Sequence, residues 1–124
     1  MTDLNALIID DEIDTCVLLT AILKQIGVKT SFAGTLMDGQ NRLKERNFQI
    51  LFLDNNLPDG SGLEQLLHIK DKFPDLKVFM ISAYDGDKEH EIAKVNGAAD
   101  FISKPLSGAA IRSSLRKHFT TLKI

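Results

Sequence analysis

Two runs in this 124-residue chain, Ile50-Leu51-Phe52-Leu53 and Val78-Phe79-Met80-Ile81, contain no polar residue. A strand with one wet face alternates apolar and polar side chains. A run without alternation suits a strand buried on both faces, as in a parallel sheet covered by helices. A third, nearly continuous apolar run covers 4–9, and weaker ones cover 28–32 and 99–102.

The segments between these runs carry helical spacing. Ile13, Val17 and Ala21 recur at i, i+4, i+8 and predict the inner face of a first helix. Asp11 or Asp14 is placed to cap that helix, and Gly27 to stop it after Ile26. Leu36 and Leu43 support a helix over 35–46, and Leu63, Leu66 and Leu67 another. Ile111, Leu115, Phe119 and Leu122 predict a last helix. The segment 87–96 has only Ile92, Ala93 and Val95 for an apolar face, and Asn96-Gly97 closes it. Pro58, Pro74 and Pro105 all fall between elements. Five strand–helix units with right-handed crossovers predict an α/β fold: an open, doubly wound, five-stranded parallel sheet with helices on both faces.

A chain of this length accommodates one domain, here 1–124. Its 15 basic and 17 acidic residues give a net charge of −2, which argues against direct nucleic-acid binding, since phosphate backbones require clustered Lys and Arg. No apolar run approaches the roughly 18 residues of a membrane span. Met1-Thr2-Asp3 leads into the first strand without a basic, cleavable leader, so a cytoplasmic location is expected. Cys16 is the only cysteine and lies in a helical, apolar stretch, as expected of a buried, inert thiol. His68, His90 and His118 lack metal-ligand spacing and read as partly exposed helix residues.

In doubly wound sheets the functional crevice lies beyond the carboxyl ends of the strands. Here the first run ends in Asp10-Asp11, the third in Asp54 and the fourth in Ser82, and the fifth is followed by Lys104-Pro105. Each alone has an ordinary reading: Asp10-Asp11 as a helix cap, Asp54 as a turn residue, Ser82 as a loop hydroxyl, Lys104 as a surface lysine. Together they form a different object. Clustered carboxylates repel unless a cation compensates, and a hard divalent ion such as Mg²⁺ takes oxygen ligands while keeping room for phosphate oxygens. A carboxylate can accept a phosphoryl group, and an ammonium such as Lys104 can neutralise charge on the group in transfer.

Over essentially its whole length the chain resembles the receiver domains of response regulators in two-component signalling. The resemblance is carried by Ile8-Ile9-Asp10-Asp11-Glu12, Leu51-Phe52-Leu53-Asp54, Leu57-Pro58-Asp59-Gly60-Ser61-Gly62, Ile81-Ser82-Ala83 and Phe101-Ile102-Ser103-Lys104-Pro105, in that order. It implies a flavodoxin-like (βα)5 fold with Asp54 as phosphoacceptor. It implies Mg²⁺ bound directly by Asp11, Asp54 and the backbone carbonyl of Asn56, with Asp10 acting mainly through a metal-bound water. Ser82 and Phe101 would be the switching residues, Phe101 lacking the hydroxyl of the tyrosine often found there. Lys104 would precede a cis proline, and Asn56 and Tyr84 would tune how readily water reaches the phosphoryl group.

The implied function is a signalling switch, not a turnover enzyme, that takes part in its own phosphorylation and dephosphorylation. Its phosphodonor would be a sensor histidine kinase or histidine phosphotransfer protein. Its output would pass to an unidentified domain or target, or to a homodimer, through the fourth helix, fifth strand and fifth helix. Two other readings stand beside it. A haloacid-dehalogenase-like phosphatase also uses a strand-end Asp, but it carries a second Asp two residues on, where this chain has Asn56, and places its acidic pair last. A non-phosphorylated receiver-like scaffold would not require the complete set of site residues.

Overall fold

The computed structural model describes residues 4–83, 86–120 and 122. The predicted strands form one parallel sheet: β1 (Asn5–Ile9), β2 (Lys29–Ala33), β3 (Ile50–Asp54), β4 (Lys77–Ser82) and β5 (Asp100–Ser103), ordered 2-1-3-4-5. Five helices alternate with them: α1 (Ile13–Gln25), α2 (Leu36–Glu45), α3 (Gly62–Lys72), α4 (Asp87–Val95) and α5 (Gly108–His118). The sequence reading did not include one small feature, a two-residue antiparallel ladder pairing Asn56–Leu57 with Gly60–Ser61 between β3 and α3.

The central strands lack alternation because both of their faces are covered. Ile8, Phe52, Phe79 and Ile81 pack in one core with Leu19, Leu23, Ile111 and Leu115, whereas Leu7, Leu51, Leu53, Val78 and Met80 pack in the other with Leu36, Leu43, Leu66 and Ile69. Phe52 and Phe79, neighbours in register, stack with ring centroids 5.3 Å apart. His118 meets Phe79 edge-on.

The inner face of α1 differs from the expected one. Ile13 and Val17 are 63% and 60% exposed and Ala21 is exposed, while Cys16, Leu19, Ile22 and Leu23 are buried. The helix is apolar nearly all round, so two stripes competed for the sheet and the one with the larger side chains was buried. Leu67 on α3 also faces out, and Ile69 takes the inner position. On α4 only Ala93 of the three predicted residues is buried. Neither Asp11 nor Asp14 caps α1; Glu12 occupies the cap position without a side-chain bond. Gly27 does follow the helix end in a left-handed conformation, φ 81°.

Thr35 caps α2 by accepting from Asp38 N, and Asp59, from the segment after β3, accepts from both Leu36 N (2.8 Å) and Met37 N (3.0 Å). These bonds satisfy amides that have no partner within the helix. They also hold the Asp59 carboxyl below its usual range. Among the described residues no helix is long and apolar enough to cross a membrane.

Candidate functional site

Parallel register gathers the strand ends. Ile9 pairs with Leu53, Asp54 with Ile81 and Ser82 with Ser103, so Asp10, Asp54, Ser82 and Lys104 lie at consecutive steps along one edge of the sheet. Asp10 and Asp54 are 1% and 4% exposed, and Ser82 is fully buried. The backbone holds them in place: Asp10 N donates to Ala33 O and Lys104 N to Ser82 O, and the Lys104–Pro105 peptide is cis, as the resemblance implies.

Lys104 is the hub. Its Nζ lies 2.9 Å from Asp10 Oδ2, 3.4 Å from Asp54 Oδ2 and 2.5 Å from Glu12 Oε1. Burial works against the charged ammonium, but the bonds to Glu12 and Asp10 and the charges of Asp54 and Asp10 outweigh it and hold Lys104 above its usual range. Burial and then the charge of Asp10 push the Asp54 carboxyl up to about 6; Lys104 and the amide of Asn56 pull the other way. A buried carboxylate pair with one lysine is thus short of positive charge. Cys16 packs beneath the site, its Sγ 3.5 Å from Asp10 O. Burial, then Asp10, push its thiol up to about 11, which leaves it protonated and unreactive.

The donor set fits a hard divalent cation. Carboxylate oxygens of Asp10, Glu12 and Asp54 lie within 4.8 Å of one another. Asp10 Oδ2 is buried, and the Lys104 ammonium stands 2.9 Å from it. Three carboxylates share that single ammonium, and a hard divalent cation would supply the missing positive charge.

Asp10, Asp54, Ser82 and Lys104 therefore converge. Asp11 and Asn56 are exposed at the rim, and Asp11 is not in the close carboxylate group. Tyr84 lies outside the described residues. Phe101 is half-buried on β5 and stacks on His90 of α4, centroids 4.1 Å apart. Glu12 joins the site although the resemblance implies no role for it; the signal in the sequence is that it is the third consecutive acid after Ile9. Asn55 was also passed over: its Oδ1 accepts from Ser61 Oγ and Leu63 N and ties the segment after Asp54 to the start of α3.

Residues 6–116 match the response regulator receiver domain family. The chain belongs to that family. The receiver is 34% identical to the response regulator protein PilR of Pseudomonas aeruginosa, over 90% of this chain and 25% of that protein. It is 30% identical to the beryllofluoride-activated NtrC4 receiver domain dimer, with a TM-score of 0.88 over 94% of this chain and 96% of that one. A receiver domain protein from Methanospirillum hungatei, 23% identical, shares the fold with a TM-score of 0.87 over 94% of this chain and 93% of its own. The receiver spans about a quarter of the length of PilR and of the ZraR regulators it also matches.

Proposed function

We propose that Asp54 is the residue on which this receiver is phosphorylated, with phosphohistidine of a sensor histidine kinase or histidine phosphotransfer protein as donor. The observation that carries this reading is the buried Asp10–Asp54 pair around Lys104, at the strand edge where the fold opens. One oxygen of Asp54 attacks phosphorus, the P–N bond breaks, and its electron pair leaves with the imidazole nitrogen. Lys104 neutralises negative charge on the transferring oxygens, and the Ser82 hydroxyl donates to one of them afterwards. Asp10, Asp11, Asp54 and the Asn56 carbonyl are the groups that would hold Mg²⁺, which when bound supplies further charge neutralisation. Asn56 stands at the rim, where with Tyr84 it would govern access of water.

The added phosphoryl charge and acceptor oxygens draw Ser82 inward, and Phe101 moves into the vacated space, altering the α4–β5–α5 face offered to an output partner or a second copy. A cytoplasmic location belongs to the same reading. The test is incubation with a small phosphodonor and Mg²⁺, followed by peptide mass spectrometry. One phosphoryl group is expected on the peptide containing Asp54, and its formation should stop with EDTA. Incorporation elsewhere, or none, overturns the assignment.

The exposed stripe of α1 supports the partner class. Ile13, Val17 and Leu18 form an exposed apolar strip, and Leu18 shares a groove of about 420 Å³ with Glu12 and Lys104. A protein donor would bury this strip, while a small donor would not touch it. Val17→Ser combined with Ile13→Ser should slow transfer from a phosphohistidine protein by about tenfold or more, as loss of two apolar anchors does. The same variant should retain its rate with a small phosphodonor, and its stability should change by no more than ~0.5 kcal/mol per site. Equal slowing with both donors would remove the strip from the docking surface.

A further inference from the structure

We propose that Glu12 is a latch on Lys104, holding the ammonium at the rim so that an arriving phosphoryl group must displace it. The proposal rests on the reading of Asp54 as acceptor and goes one step further into the same site. Of the three carboxylates around Lys104 Nζ, Glu12 is nearest at 2.5 Å, closer than Asp10 at 2.9 Å and the acceptor itself at 3.4 Å. An ammonium has three N–H donors and no more. A phosphoryl group on Asp54 brings new acceptor oxygens on the inner side of the ammonium, so one present partner has to yield.

Burial decides which partner that is. The Asp10 and Asp54 side chains are all but sealed off, whereas the Glu12 side chain is 61% exposed, so water can replace the lysine on Glu12 at small cost. The latch is nevertheless anchored: Glu12 N–H donates to Asp10 Oδ1 at 2.8 Å, fixing its backbone beside the site whether or not its side chain is engaged. The Glu12 charge also lines the groove that reaches Lys104, where it would repel an anionic group beside the ammonium. Both effects act in the same direction. Glu12 disfavours the phosphorylated state and its mimics, making it a positioning residue for Lys104.

The test uses the whole chain, Mg²⁺ and beryllofluoride at low ionic strength, with affinities from calorimetry. Glu12→Gln keeps the side-chain shape and removes the charge, and should bind beryllofluoride about three to five times more tightly, the factor expected for an exposed pair. Affinity for Mg²⁺ alone should change less than about twofold. Asp14→Asn removes a charge from the same groove without touching Lys104 and should leave beryllofluoride affinity within about twofold of the parent. Unchanged or weaker binding by Glu12→Gln overturns the latch. So does a gain of the same size in Asp14→Asn, which would make it a net-charge effect, or a large loss of Mg²⁺ affinity, which would make Glu12 a metal ligand. Failure of the acceptor reading would look different, since Asp54→Asn would then bind the mimic as well as the parent does.

Discussion

Asp54→Asn should form no stable phosphoryl adduct with any donor, and in metal-free buffer it should unfold at a higher temperature than the parent above pH 6. The first effect follows because an amide is a far poorer nucleophile than a carboxylate and its adduct could not persist. The second follows from burial. The Asp54 carboxyl is raised from 3.8 to about 6 in the folded chain, chiefly by desolvation and then by Asp10. A carboxyl whose folded value is raised binds more protons in the folded state than in the unfolded one between those two values. Stability therefore falls as pH climbs through that window, and the full penalty is present above it.

A neutral isostere removes that penalty. The rise alone would correspond to about 3 kcal/mol. Lys104 already offsets part of the burial cost in that value, and relaxation of the surroundings around a buried charge reduces the expected gain to about 1 kcal/mol. For a chain of this size that is about 4 °C in Tm. Melts in EDTA at pH 4 and pH 8 check the sign: the advantage should be clear at pH 8 and mostly gone at pH 4. A variant less stable at pH 8, or equally favoured at both, would refute the electrostatic account.

The second large effect is expected at Gly62, the first residue of α3. It is buried and donates its N–H to Asn55 O. A Cβ there would lie 2.1 Å from Asp54 O, 3.0 Å from Asp54 C and 2.9 Å from Leu53 Cγ. Two of these atoms are backbone and cannot rotate away. Gly62→Ala should cost about 3 kcal/mol in denaturant unfolding, at the upper end for overpacking, because relief requires moving either α3 or the end of β3. It should also slow phosphorylation of the folded fraction, since what moves is the residue carrying the acceptor. Gly27→Ala is the contrast: nothing lies within 4 Å of its Cβ, so its cost comes only from the left-handed backbone and should leave the site untouched. A loss below ~0.5 kcal/mol for Gly62→Ala would mean that the helix start gives way freely.

How far the molecule was legible beforehand depends on the distance over which each contact is decided. The central strands were readable because lack of alternation in Ile50-Leu51-Phe52-Leu53 is a local statement about both faces. The gathering of Asp10, Asp54, Ser82 and Lys104 was readable because parallel strands place their carboxyl ends on one edge whatever the strand order. The face of α1 was not, since Ile13–Val17–Ala21 and Leu19–Ile22–Leu23 both satisfy helical spacing, and only packing against the sheet distinguishes them. Nor were the roles of Glu12 and Asp59. Their partners lie 92 and 23 residues away in the chain and become neighbours only in three dimensions.

Asp59 grips the first two amides of α2 with both oxygens of one carboxylate, five residues beyond the acceptor. Any rearrangement of the stretch after Asp54 must therefore either break two charge-assisted bonds together or carry the end of α2 with it. Chemistry at Asp54 thus has a mechanical lead toward the opposite flank from α4, and a partner seated on α2 would feel it without touching Phe101.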